Sequence, residues 1–305
     1  MSTNLRAGVI GAGVFGGYHA KQYAGLGGVD LTCVFDVDLD RAKALAEPLG
    51  ATPTTDVAEL LAASDVVTVA SPAFTHVGHA VAALNAGKAV YVEKPLAVTL
   101  EEADKIIAAA AKAGVVCASG HLERAVFKAM GLLDIPERPL LMECIRNGPP
   151  GPRSLDVSVV LDLMIHDLDL GLVLAGGEAV AVEAEGALVL NDRLDQVRAE
   201  ATFENGFTAI FESSRVAAAR ERRMKVVYPS GEVRIDFVTR EFINTTPFQL
   251  NPNFQDTVAG KDPLGASIRA FLAAVRGETD RPLATATEGA KALDLALAVE
   301  QAVGN

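Results

Sequence analysis

Leu5-Arg-Ala-Gly-Val-Ile10 runs into Gly11-Ala-Gly13-Val-Phe-Gly16, and a helical pattern follows to about Leu26. An apolar run, three glycines spaced G-x-G-x-x-G and then a helix read as strand, tight turn and helix N-terminus. Gly11 permits the turn, Gly13 lets a ligand approach the backbone, and Gly16 lets the helix pack close to the strand. The helix start offers unpaired N–H groups and a partial positive charge, which suit a pyrophosphate. Val14 and Phe15 share that first turn and join the glycines as candidate cofactor contacts. Asp36 closes the next apolar run, Leu31–Phe35, twenty positions beyond Gly16. A carboxylate there accepts hydrogen bonds from ribose hydroxyls. Asp36-Val37-Asp38 would also set two carboxylates against a 2′-phosphate, so NAD is expected over NADP, with Arg41 the one nearby cation.

Further along, Asp65–Ala70, Ala89–Val92 and Val115–Ala118 are short apolar runs separated by helical stretches such as Arg41–Leu49. Thr99-Leu-Glu-Glu102 reads as a capping box opening a helix that Gly114 can stop. Short, fully apolar strands alternating with helices signal a parallel sheet covered on both faces. The reading is an α/β chain whose residues 1–122 form a doubly wound dinucleotide-binding domain.

From residue 123 the pattern changes. Val197, Ala199, Ala201 and Phe203 alternate with Arg198, Glu200, Thr202 and Glu204, and Asn205-Gly206 is a hairpin turn. Met224–Tyr228 and Val233–Val238 flank Pro229-Ser-Gly231 as a second hairpin, and helices are expected near 265–275 and 287–303. Residues 123–305 are therefore expected to form an α+β domain with a largely antiparallel open sheet. Such a sheet must bury its apolar outer face, which points to a homodimer or homotetramer.

The 305 residues are 50% hydrophobic and 22% charged, which fits a folded globular chain. A net charge of -12 argues against nucleic acid or an anionic membrane as partner. The three cysteines lie in apolar runs without metal-ligand spacing, and no metal is expected. No leader or membrane-spanning run is visible, so the expected location is the cytoplasm.

Three landmarks now stand together: Gly11-x-Gly13-x-x-Gly16, Glu93-Lys94-Pro95 after a strand, and Asp162-Leu-Met-Ile-His166. The combination resembles the glucose–fructose oxidoreductase, inositol dehydrogenase and rhizopine catabolism protein family along essentially the whole chain. Met142–Gly148, Asp156–Asp169 and Phe203–Phe207 resemble the branch that oxidises the 3-hydroxyl of UDP-N-acetylglucosamine. The resemblance implies a nucleotide-sugar substrate, a ketone product and a PLP aminotransferase that consumes it. It also implies that Ser71, Pro72 and His76 line the NAD site; Glu93 and Lys94 join them as candidate cofactor contacts, with Glu93 read as a contact to Lys94 or to the ribose.

Alcohol oxidation needs a base for the hydroxyl proton and a cation or donor for the developing alkoxide. Asp162 and His166 are four apart and would share a helix face, where Asp162 can orient the imidazole. His166 is read as the base and Lys94, at a strand end, as the group that polarises the hydroxyl; Lys94 as base is the alternative. A UDP-sugar diphosphate also requires local cations in so acidic a chain, and Arg124, Arg146 and Arg153 are the candidates. His121 is either a pocket residue or a packing residue, and Asp167 and Asp169 read as surface or capping positions. The competing readings are a dehydrogenase of a free sugar or inositol, and a non-catalytic NAD- or sugar-sensing regulator.

Overall fold

The computed structural model describes residues 4–151 and 157–304. The chain forms two compact units: residues 1–122 with 264–290, and residues 123–263 with 291–305.

In the first unit β1 (Leu5–Ile10), β2 (Val29–Phe35), β3 (Thr52–Thr54), β4 (Val66–Val69), β5 (Ala89–Val92) and β6 (Cys117–Ser119) make one parallel sheet. Its order is β3-β2-β1-β4-β5-β6, the doubly wound arrangement, with the reversal between β1 and β4. Helices α1 (Val14–Gly25), α2 (Leu39–Ala46), α3 (Val57–Ala63), α4 (His76–Asn85) and α5 (Leu100–Ala113) connect the strands. All four residues of β4 and of β5 are buried, as expected for strands covered on both faces. The Thr99 hydroxyl accepts from the Glu102 amide at 3.2 Å, and Gly114 ends α5 with a left-handed φ of 65°.

A single domain cut at residue 122 needs amendment. Ile268, Phe271 and Leu272 of the helix Pro263–Val275 are buried in the same core as Ala7, Val9, Tyr23 and Tyr91. Tyr91 meets the Ser267 hydroxyl at 2.9 Å and Phe271 edge-on at 5.8 Å. This late helix completes the apolar cover of the first sheet, so residues 264–290 belong with the N-terminal unit.

The second unit is built on α6 (Glu123–Met130), α7 (Ile165–Ala175) and seven strands: β7 (Leu141–Asn147), β8 (Ala179–Leu188), β9 (Leu194–Phe203), β10 (Thr208–Ser214), β11 (Glu221–Tyr228), β12 (Gly231–Asp236) and β13 (Phe242–Asn244). Their order is β13-β12-β11-β7-β10-β9-β8. Every pairing is antiparallel except β7 with β10, so the sheet is mixed rather than a pure meander. Met142, Cys144, Val197, Ala199, Ala201, Phe203, Ala209, Phe211, Met224 and Val226 are buried on one face. Helix α7 packs there; a Cβ on Gly171 would stand 3.1 Å from the Phe211 ring.

The other face is not the apolar surface expected. It carries a groove of about 510 Å³ whose lining mixes Ile145, Ile210 and Ile243 with Glu143, Arg198, Glu212 and Lys225. Lys225 and Glu143 pair across strands at 2.8 Å. Among the described residues no helix is long and apolar enough to cross a membrane.

Candidate functional site

The glycine turn after β1 is dictated by contacts. Gly11 has φ +103°, and a Cβ there would lie 2.8 Å from the Ala70 carbonyl oxygen and the Ser71 nitrogen. A Cβ on Gly16 would come within 1.7 Å of the Gly11 carbonyl oxygen, whereas Val9 lies at 3.6 Å. The third glycine is thus required chiefly by the turn itself, not by the packing of helix on strand. Gly13 caps α1 with no side-chain hydrogen bond and has nothing within 4 Å of its Cβ direction. An uncapped helix start beside open space over bare backbone fits a pyrophosphate. Val14 is 51% exposed in that first turn, and Phe15 sits edge-on to Tyr18 at 5.9 Å.

Asp36 is buried and braces the same turn. One carboxylate oxygen accepts from the Ala12 amide at 2.8 Å and the other from the Asp38 amide at 3.0 Å. Arg41 lies 3.5 Å from Asp38, so the cation nearest the ribose position is already drawn to a carboxylate.

Glu93 is buried under the end of β5. Its Oε1 lies 2.6 Å from His19 Nε2, and its Oε2 accepts from the Lys94 amide at 3.2 Å. Burial pushes the Glu93 carboxyl up, but His19 and Lys94 more than offset this and leave it below its ordinary value. His19, without a role in the sequence reading, is thereby the partner of the Glu-Lys-Pro element. Lys94 is half-buried beyond it, and the Lys94–Pro95 peptide is cis.

His76 departs from the expectation of a cofactor contact. It is buried, with Nδ1 2.9 Å from the Pro95 carbonyl and Nε2 2.9 Å from the Ser71 carbonyl. Burial pushes its pKa down while the two carbonyls pull upward. A neutral imidazole has one N–H and donates to only one of these carbonyls, so His76 ties the loop after β4 or the turn after Lys94 through a single hydrogen bond while both its nitrogens are enclosed by protein. Ser71 and Pro72 remain at least partly exposed in that loop, and Ser71 pairs with Thr75 at 2.7 Å. His121 is buried, which favours packing over the pocket role.

In the second unit Asp162 lies in a π-helical turn, Val160–Met164, that runs straight into α7. The regular helix read from the sequence is therefore interrupted. A wider i→i+5 turn holds more residues, so a side chain four positions on falls just short of a full turn instead of past it. Asp162 and His166 still share a face. His166 Nδ1 stands 3.1 Å from Glu123 Oε2, and Glu123 Oε1 accepts from Arg146 Nη1 at 3.1 Å. Glu123 is absent from the sequence reading; nothing in its spacing marks a residue 43 positions before His166 as its partner.

Burial pushes the Glu123 carboxyl up, but His166 and Arg146 hold it well below the usual carboxylate range. An ionised Glu123 beside Nδ1 favours the tautomer with the proton there and leaves Nε2 as the basic atom. Glu123→Gln is expected to lower kcat by ~10–100-fold without weakening NAD binding. Because the folded-state carboxyl titrates below the ordinary 4.5, its stabilisation is complete above that pH and is lost as the group protonates in stronger acid. The Tm advantage of wild type over Glu123→Gln should be full at neutral pH and shrink in acid.

The arginines read as diphosphate cations are committed elsewhere. Arg124 is buried and bidentate to Asp169 at 2.6 and 2.8 Å. Arg146 is buried and bidentate to Asp167, both bonds 2.8 Å. Asp167 and Asp169 are correspondingly 4% and 1% exposed, neither surface nor capping residues. Arg153 lies outside the described residues. Among the described residues no group of His, Cys, Asp or Glu could hold a metal ion.

Residues 5–121 match the GFO/IDH/MocA oxidoreductase family with its NAD-binding Rossmann fold, and residues 148–234 match the GFO/IDH/MocA C-terminal domain. The chain belongs to this family and is an NAD-dependent dehydrogenase. It is 36% identical over 312 residues to the UDP-N-acetylglucosamine 3-dehydrogenase of Acidithiobacillus ferrooxidans, covering 98% of this chain and 97% of the relative. A solved structure of that enzyme superposes with a TM-score of 0.90 at 34% identity over 98% of both chains. The NAD(+)-dependent scyllo-inositol 2-dehydrogenase of Bacillus subtilis is 27% identical, covering 84% of this chain and 82% of the relative.

Proposed function

We propose that this chain oxidises the 3-hydroxyl of a UDP-N-acetylhexosamine, UDP-N-acetylglucosamine first, to the 3-ketone, which a PLP aminotransferase then consumes. The observation that carries the reading is 36% identity, end to end, to an enzyme of that name. NAD, when bound at the glycine turn, supplies the hydride acceptor. Gly13 and the first turn of α1 hold its pyrophosphate, and Asp36 receives the ribose hydroxyls. His166 takes the hydroxyl proton at Nε2, with Glu123 fixing its tautomer and Asp162 beside it. Lys94 stabilises the developing alkoxide, and Glu93, braced by His19, holds the Lys94 backbone.

A second reading, oxidation of an uncharged sugar or inositol, is favoured by one observation: Arg124 and Arg146 are neutralised internally and are poor receivers for a diphosphate. The deciding experiment follows NADH with NAD and UDP-N-acetylglucosamine, with glutamate and an aminotransferase removing the ketone, because alcohol oxidation by NAD is uphill at neutral pH. Turnover of the UDP-sugar is expected. Turnover of scyllo-inositol alone would replace the reading. A homodimer or homotetramer in the cytoplasm is still proposed, now through a sheet face of mixed polarity, and light scattering measures the assembly.

A further inference from the structure

The second unit holds an arginine with a different electrostatic position from Arg124 and Arg146. Arg222, on β11, pairs in register with Arg146 on β7. It stands two, four and six positions before buried Met224, Val226 and Tyr228 and so shares their face, the sheet face that α7 covers, where the Glu123–His166 contact also sits. Side chains directly opposite on neighbouring strands stand only ~4.5–5.5 Å apart at Cβ.

Arg146 already takes both the Asp167 carboxylate and one oxygen of Glu123. Arg222 makes no ion pair among the described residues, although it is half-buried. Its environment is that of a cation in excess. Burial, then the guanidiniums of Arg146 and Arg220, lower its pKa to about 10, and Glu123 and Asp167 only partly offset this. Arg222 stands opposite Arg146, and the carboxylates of Asp167 and Glu123 are already bonded to Arg146, so Arg222 remains charged at neutral pH without a carboxylate of its own among the described residues. A partly desolvated guanidinium beside two like charges is costly unless an anion joins it. In a chain of net charge -12 such a local excess is also what an anionic ligand needs.

We propose that Arg222, assisted by the exposed Arg220, receives the diphosphate of the nucleotide-sugar substrate, in place of Arg124 and Arg146. This rests on the UDP-sugar reading above. The guanidinium fork suits a phosphate, giving two parallel charge-assisted hydrogen bonds. The neutral sugar end of the ligand is then left to the His166 side of the same cluster.

The test titrates UDP, and separately UDP-N-acetylglucosamine, into the NAD-loaded protein as wild type, Arg222→Gln and Arg222→Lys. Arg222→Gln should weaken both ligands by ~10-fold or more, and Arg222→Lys should recover part of the loss as a point charge without the fork. The kinetic loss should fall more on KM than on kcat. The Tm of Arg222→Gln should equal or exceed that of wild type, because an uncompensated cation is removed. Unchanged UDP affinity in Arg222→Gln overturns the proposal while wild-type UDP-sugar turnover leaves the reading intact. A lowered Tm overturns it too, by revealing an internal partner. Unchanged UDP affinity with a raised KM for a UDP-sugar uronate would assign Arg222 to a carboxylate instead and also overturn it. If wild type binds no UDP and turns over only inositol, proposal and reading fall together.

Discussion

Replacing His166 by Asn is expected to cut kcat by ~10²–10⁴-fold, the span of a lost general base. Asn keeps a polar side chain near Glu123 but cannot take a proton. NAD should bind as before, since the glycine turn, Asp36 and Glu93 are untouched. Lys94→Met should cost ~10²–10³-fold, the scale for removing one donor from a developing oxyanion. The two variants separate the roles. If His166 is the base, added imidazole should restore part of the activity of a His166→Ala protein and do nothing for Lys94→Met. Small primary amines restoring Lys94→Ala, with His166→Asn nearly as active as wild type, would exchange the assignments. Loss in neither variant would sink the proposed chemistry. Both arms need the ketone trap, because the equilibrium otherwise hides a slow forward rate.

What the sequence made legible follows its local signals. Strands β1, β2, β4, β5 and β6 of the first sheet were readable because each lies in a short apolar run, and Thr99-x-x-Glu102 marks a helix start by contacts within one turn; β3, Thr52-Pro-Thr54, is polar and no run marked it. Strand β9 was readable from its alternation alone. Strands β7 and β8 carry mixed polar residues, and β7 pairs with strands more than sixty residues away, so periodicity did not reveal them. The late helix Pro263–Val275 reads simply as amphipathic; which sheet it covers is a tertiary fact. The same limit applies to the site. Gly11, Gly13, Gly16, Asp36 and Lys94 stand in patterns whose parts are close in the chain. Glu123 and His19 act through partners 43 and 74 positions away, and no spacing announces them.

Charge was the least legible quantity of all. An arginine in a glycine- and proline-rich neighbourhood looks like a free cation until its partner is known. Arg124, Arg146 and Arg222 are one residue type in one compact unit, yet two are neutralised by bidentate carboxylates and one is left in excess. That difference predicts opposite consequences of substitution. Loss of Arg222 should be felt by a ligand, and loss of a partner inside a closed pair by the fold.

The second large effect is therefore on stability. Asp169→Asn should destabilise the protein by ~3–5 kcal/mol, because it leaves the buried Arg124 guanidinium without its anion. The carboxylate is 1% exposed and holds that guanidinium at two points, so water cannot take its place cheaply. Changing both partners together, Arg124→Met with Asp169→Leu, removes two buried charges and should recover most of the loss. At a temperature where Asp169→Asn is still folded, its KM for the UDP-sugar should match wild type. Chemical denaturation of Arg124→Met, Asp169→Leu and the double variant measures the coupling. A double variant as unstable as the sum of the singles would show that the pair is not closed on itself. A raised KM in folded Asp169→Asn would return Arg124 to the substrate.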